Sequence, residues 1–137
     1  MNEQLIKTQI ISPDKEIYNG SPEMVVLPGE DGDFAAMYEH APFITFLRPG
    51  KIEIFSKVEK AKLDYFVTGG FVKVQDNNCI VMVDYIKKIN EINVKENEKK
   101  ISDLLSNLDR ENNSINNDKI LSEIEILKSE NESIIKN

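Results

Sequence analysis

Leu27-Pro28-Gly29-Glu30-Asp31-Gly32-Asp33-Phe34-Ala35-Ala36-Met37-Tyr38-Glu39-His40-Ala41-Pro42-Phe43-Ile44-Thr45-Phe46-Leu47-Arg48-Pro49-Gly50 lies between strand-like segments and holds the chain's single histidine and three of its five prolines. Two features stand out in it: an acidic turn at Glu30 to Asp33 and a His-Ala-Pro corner at His40 to Pro42. Neither brings a nucleophile beside a base, and neither has the makings of a metal cage. The stretch reads as a shaped contact surface with no catalytic pocket.

Working outward, the same grammar continues on both sides. Leu5 to Ile11 ends at Ser12-Pro13-Asp14, and Glu16-Ile17-Tyr18 ends at Asn19-Gly20, a strong turn dipeptide. Glu23 to Leu27 ends at Pro28-Gly29, Phe43 to Leu47 at Arg48-Pro49-Gly50, and Lys51 to Phe55 alternates polar with apolar. Leu63 to Val67 meets Gly69-Gly70, which reads as a tight hairpin before Phe71. Phe71 to Val74 meets Asp76-Asn77-Asn78, and Cys79 to Val83 closes the series. Short strands spaced by turn signals predict an antiparallel β-sandwich or small barrel, and no room is left for helices between them.

The composition then changes near Tyr85 to Glu91. All six glycines, all five prolines and every aromatic residue precede that point. Beyond it Val94, Ile101, Leu104, Leu105 and Leu108 recur at helical spacing, and Ile120, Ile124, Leu127 and Ile134 repeat the pattern. Asp109 to Asp118, rich in Asn and Ser, reads as the loop between two helices, with Asn117 or Asp118 as the cap of the second. Each helix offers one narrow apolar stripe, so the two are expected to pack as an antiparallel hairpin. A coiled-coil dimer is disfavoured, since the stripes are too short for three or four heptads. The fold class is therefore α+β: a β-sandwich over residues 1–87, then a two-helix hairpin over residues 88–137 that docks on the sandwich or on a partner.

Composition narrows the function. The net charge is −7 over 137 residues, so phosphate backbones and anionic lipid surfaces would repel the chain, and nucleic acid is not an expected partner. No apolar run approaches the roughly 20 residues of a membrane span, and direct insertion is not expected. Met1-Asn2-Glu3-Gln4 lacks a basic region followed by an apolar stretch, so no secretory signal is expected. Cys79 stands alone in an apolar run and reads as a buried thiol in a cytosol-facing protein. Glu30, Asp31 and Asp33 lack the spacing and terminal Glu of a calcium loop, and no helix follows Gly69-Gly70 to cradle phosphate.

Together, Ile10 to Gly20, Val26 to Phe34 (with G-x-x-G-[DE]-[FL] at Gly29 to Phe34), Glu39 to Gly50 and Phe66 to Val74 resemble the epsilon subunit of rotary F-type ATP synthases. The resemblance spans nearly the whole chain. It implies a noncatalytic subunit of the central rotor stalk, coupling proton-driven rotation of the c-ring to ATP synthesis elsewhere. It implies contacts of the sandwich with the gamma subunit and with c-ring loops. The residues carried over to those contacts are Gly32, Asp33, Phe34, His40, Ala41 and Pro42. The hairpin would reach the alpha/beta catalytic head. The place implied is the cytoplasmic face of a bacterial plasma membrane, or its organelle equivalent, as a peripheral subunit.

Three departures from the family pattern stand out. Where the family often has Gly-Ile-Tyr-Pro-Gly before the histidine, this chain has Ala35-Ala36-Met37-Tyr38-Glu39. Some members bind ATP through aliphatic-Asp-x-x-Arg-Ala, and Ile92-Asn93-Val94-Lys95-Glu96-Asn97 lacks both the Asp and the Arg, so no cofactor is expected. Inhibition of hydrolysis in the family leans on basic residues of the last helix meeting an acidic stretch of the beta subunit; from Asp118 onward three lysines stand here against five acids, so the resemblance implies only weak inhibition. The alternative is a free-standing β-sandwich adaptor whose hairpin binds another protein.

Overall fold

A computed structural model describes residues 4–58, 62–108 and 114–135, without the side chains of 62, 114–116 and 135. Its described residues divide into two compact units, with the boundary in the chain between Lys88 and Ile89.

The first unit contains eight strands: β1 (Lys7–Ile11), β2 (Glu16–Gly20), β3 (Met24–Gly29), β4 (Gly32–Met37), β5 (Phe43–Phe46), β6 (Gly50–Phe55), β7 (Lys62–Gln75) and β8 (Asn78–Lys88). They pair in the order β2-β1-β8-β7-β6-β3-β4, with β5 added to β7. The long β7–β8 hairpin belongs to both layers of the sandwich. The first half of β7 pairs with β6, while its second half pairs with β5. The first half of β8 carries β1 alongside it, and this one pairing is parallel. Alternation explains the packing: Cys79, Val81 and Val83 of β8 point inward, as do Ile52 and Ile54 of β6. They join Val25, Leu27, Val72 and Val74 in one buried cluster, each fully buried aliphatic side chain contributing about 1.5–3 kcal/mol.

Two turn readings are corrected. Gly69-Gly70 is not a hairpin: both residues lie inside β7, at φ +68° and +105°, where the strand bends from one layer to the other. The register with β8 holds on both sides of the bend, Thr68 facing Tyr85 and Gly70 facing Val83. Asn19-Gly20 is not a turn either, but the end of β2, where Asn19 faces Gln9 and Gly20 faces Thr8. The expected Asp76-Asn77 turn is present, with φ of +53° and +61° between Gln75 and Asn78. Two successive residues in the left-handed region make the type I′ turn that a twisted hairpin favours. One strand, β4, was not read from the sequence.

The second unit begins with a 3-10 turn at Ile89–Glu91, followed by α1 (Val94–Asn107) and α2 (Ser114–Ile135). Asn93 caps α1, its side chain accepting from the Glu96 amide at 3.1 Å. Residues 109–113 of the expected loop lie outside the described ones, and Ser114 onward is already helix. Asn117 and Asp118 are therefore inside α2 and do not cap it. Leu105 is exposed instead of lying in the stripe, because a 3.6-residue period turns it about 100° from Leu104. Asn97 takes the buried slot between Val94 and Ile101. Its amide nitrogen donates to Glu130 at 3.2 Å and to Asn131 at 3.0 Å, so the start of α1 faces the end of α2. The helices are antiparallel, as expected.

Candidate functional site

β3 and β4 form a hairpin in which Gly29 faces Gly32, leaving Glu30 and Asp31 as the turn. Gly32 has φ +142°, a conformation that favours glycine, with open space where a Cβ would stand. Arg48, from the connection between β5 and β6, closes over this turn. Its guanidinium donates to the Gly29 carbonyl at 2.6 Å and to the Asp33 carboxylate at 2.5 Å. Its backbone amide donates to the Pro28 carbonyl, and the Glu30 amide to the Phe46 carbonyl. Asp33 is thus neutralised locally although it is largely exposed.

The other end of β4 leads into the corner. Glu39 sits at φ +64°, and its amide donates to the Asn77 side chain at 2.6 Å. The Asn77 carbonyl also accepts from the Lys7 amide, so one turn residue ties β1, β8 and the corner together. The His40 amide donates to the Met37 carbonyl. Its Nδ1 lies 2.6 Å from the Ala41 carbonyl oxygen. A carbonyl only accepts, so Nδ1 carries the proton. The rings of Phe34, His40 and Phe43 gather at centroid distances of 5.1–6.2 Å, Phe34 meeting Phe43 edge to face. Of the six expected residues, Phe34 and His40 come together. Asp33 pairs away from them with Arg48, Gly32 serves the turn, and Ala41 and Pro42 are exposed.

A further surface was missed. Phe46 faces Phe71, Phe71 faces Met82, and Met82 faces Ile11, forming one row across four strands. Ile44 and Ile80 lie beside it, both facing Lys73. Ile44 and Phe46 are each 66% exposed, and Phe71, Ile80 and Met82 are exposed too. A contiguous apolar patch on a sheet's outer face marks an interaction surface. The signal was present in Phe43 to Phe46 and Cys79 to Val83: apolar residues at odd and even positions alike mean a strand with two apolar faces. Arg48 and Asn77 gave no such signal, since their partners lie far off in sequence.

Burial pushes the Cys79 thiol up to about 12, which makes it an inert core group. Among the described residues no cluster of three or more His, Cys, Asp or Glu is placed to hold a metal ion. No described helix is long and apolar enough to cross a membrane.

Residues 5–89 match the family described as "ATP synthase, Delta/Epsilon chain, beta-sandwich domain". The chain is 31% identical to the ATP synthase epsilon chain of Gluconacetobacter diazotrophicus over 77% of its own length and 74% of that protein. It is 41% identical to the epsilon chain of Rhodospirillum rubrum, over 56% of each. A chain in the Euglena gracilis mitochondrial ATP synthase structure (OSCP/F1/c-ring, rotational state 1) superposes with TM-score 0.77 at 16% identity, over 96% of this chain and 82% of that one. A chain in the Tetrahymena thermophila mitochondrial ATP synthase structure (central stalk/c-ring) gives TM-score 0.57 at 23% identity, over 67% and 72%. At such identities the two structures speak for the fold alone.

Proposed function

The chain belongs to the delta/epsilon family of ATP synthase and is a noncatalytic subunit of the rotor stalk in the F-type complex; from that premise we propose how its surfaces divide the work. The outer apolar row of Phe46, Phe71 and Met82 takes the foot of the gamma subunit. The edge formed by Gly32, Asp33, Phe34, His40, Ala41 and Pro42 takes polar loops of the c-ring, with the Asp33 carboxylate already paired to Arg48 within the edge. The observation that carries this reading is the pairing of one broad apolar face with one polar, hydrogen-bonded edge on a single sandwich. Apolar area supplies affinity, and the fixed polar edge supplies orientation. A part that couples ring rotation to the catalytic head must grip two partners at once.

The subunit is a peripheral component of a membrane complex, and we assign it to the cytoplasmic face of the plasma membrane in a bacterium, or the equivalent face in an organelle. The hairpin takes no ATP on this reading. Asn93 serves as a helix cap, Glu96 would repel phosphate, and Asn97 is committed to Glu130 and Asn131. With three lysines against five acids from Asp118 onward, the hairpin brakes hydrolysis only weakly.

Affinity capture of the tagged chain from solubilised membranes tests the main reading. Gamma and the catalytic hexamer should come down with it, and Phe71→Asp should reduce both. Capture of an unrelated protein in their place would favour the adaptor reading instead.

A further inference from the structure

We propose that Arg48 is a positioning residue for the docking surface, and that the Asp33 carboxylate acts through Arg48 inside the fold instead of receiving a partner's cation directly. The inference rests on the docking reading above. Arg48 stands where three pieces of chain converge. Its two guanidinium nitrogens reach β3 at Gly29 and β4 at Asp33, while its backbone amide reaches Pro28. The residue before it, Leu47, bridges Gly29 and donates its amide to the Gly70 carbonyl at the bend of β7. The residue before that is Phe46, whose carbonyl accepts from the Glu30 amide and whose side chain starts the apolar row.

The acidic turn and the apolar row are thereby fastened at one point. A single exposed ion pair is worth little, and neither group here is buried. A planar fork that spans a carboxylate and a backbone carbonyl is different, because it fixes direction as well as distance. Without it, the turn between Gly29 and Gly32 is held to the row by backbone bonds alone, the Asp33 side chain loses its fixed direction, and a partner must order that end of the turn on binding. The acidic side chain named from the sequence is thus one half of an internal clamp.

A double-mutant cycle on the full chain tests this, using Arg48→Gln, Asp33→Asn and the double variant. Arg48→Lys and Phe71→Asp accompany them. Two quantities are read: amide exchange across Gly29 to Phe34 in the free chain, and affinity for the complex purified without this subunit. Each single variant should speed exchange and weaken affinity about five-fold, and the double should be no worse than either single. Arg48→Lys should fall between wild type and Arg48→Gln, since an ammonium cannot hold both acceptors in one plane. If Asp33→Asn weakens affinity with exchange unchanged, or the double loses about 25-fold, Asp33 meets the partner itself and the proposal is overturned. If Phe71→Asp weakens affinity while every clamp variant behaves as wild type, this proposal fails and the docking reading stands. If Phe71→Asp changes nothing, the docking reading fails, and with it the positioning role that rests on it.

Discussion

A Cβ added at Gly70 would stand 1.9 Å from the Met82 carbonyl oxygen and 2.8 Å from the Val83 Cα, on backbone that cannot move aside. Gly32 differs: its φ of +142° is strained for other residues, but the space around it is open. Gly70→Ala should therefore cost about 3 kcal/mol or more in urea unfolding, and Gly32→Ala about 1 kcal/mol. Cys79 offers a pH test at the same scale. Its folded thiol titrates at about 12 against an ordinary 9.0, so the folded state favours the protonated form. The stability this contributes is complete below pH 9 and is lost as pH rises towards 12. The unfolding midpoint of the wild type should fall more steeply between those limits than that of Cys79→Ala. The isolation of Cys79 in an apolar run made its burial legible. The clash at Gly70 was not legible, because a Gly-Gly pair serves equally as a two-residue turn or as a bend inside a strand.

Among the elements, the helical hairpin is held by an unusual centre. Asn97 is 2% exposed and Glu130 1% exposed, where a helix pair ordinarily places aliphatic side chains. Both amide hydrogens of Asn97 are used, one on Glu130 and one on Asn131. Polar groups at such a position set register at some cost in stability. Asn97→Ala removes the shared donor and should destabilise the hairpin by about 1–3 kcal/mol, seen as faster amide exchange along α1. Asn97→Leu together with Glu130→Leu and Asn131→Leu should slow that exchange relative to Asn97→Ala. The 3.6-residue pattern was enough to read both helices. It gave no hint of Asn97, because a polar residue on an apolar stripe signals nothing until its partners are known. The start of α2 was misread for a related reason: Asn and Ser favour loops, yet Ser114 to Asp118 are carried into the helix.

At the scale of the whole molecule, the proposed roles divide where the composition changes. A chain ending at Lys87 should leave ATP hydrolysis by the assembled enzyme nearly unchanged; a several-fold rise would show a strong brake. Titration of the full chain with ATP should show no saturable binding at cellular concentrations. Local sequence was sufficient for the class of each half: alternation with regular turn signals yields a sandwich, and a helical period yields a hairpin. These follow from neighbours a few residues apart, which is the range over which propensity and periodicity act. Tertiary structure alone decided the parallel pairing of β1 with β8, the bend of β7 through both layers, and the meeting of Arg48 with Asp33. Each joins residues through the fold, and the energy that selects them comes from burying the shared core, which no single segment carries.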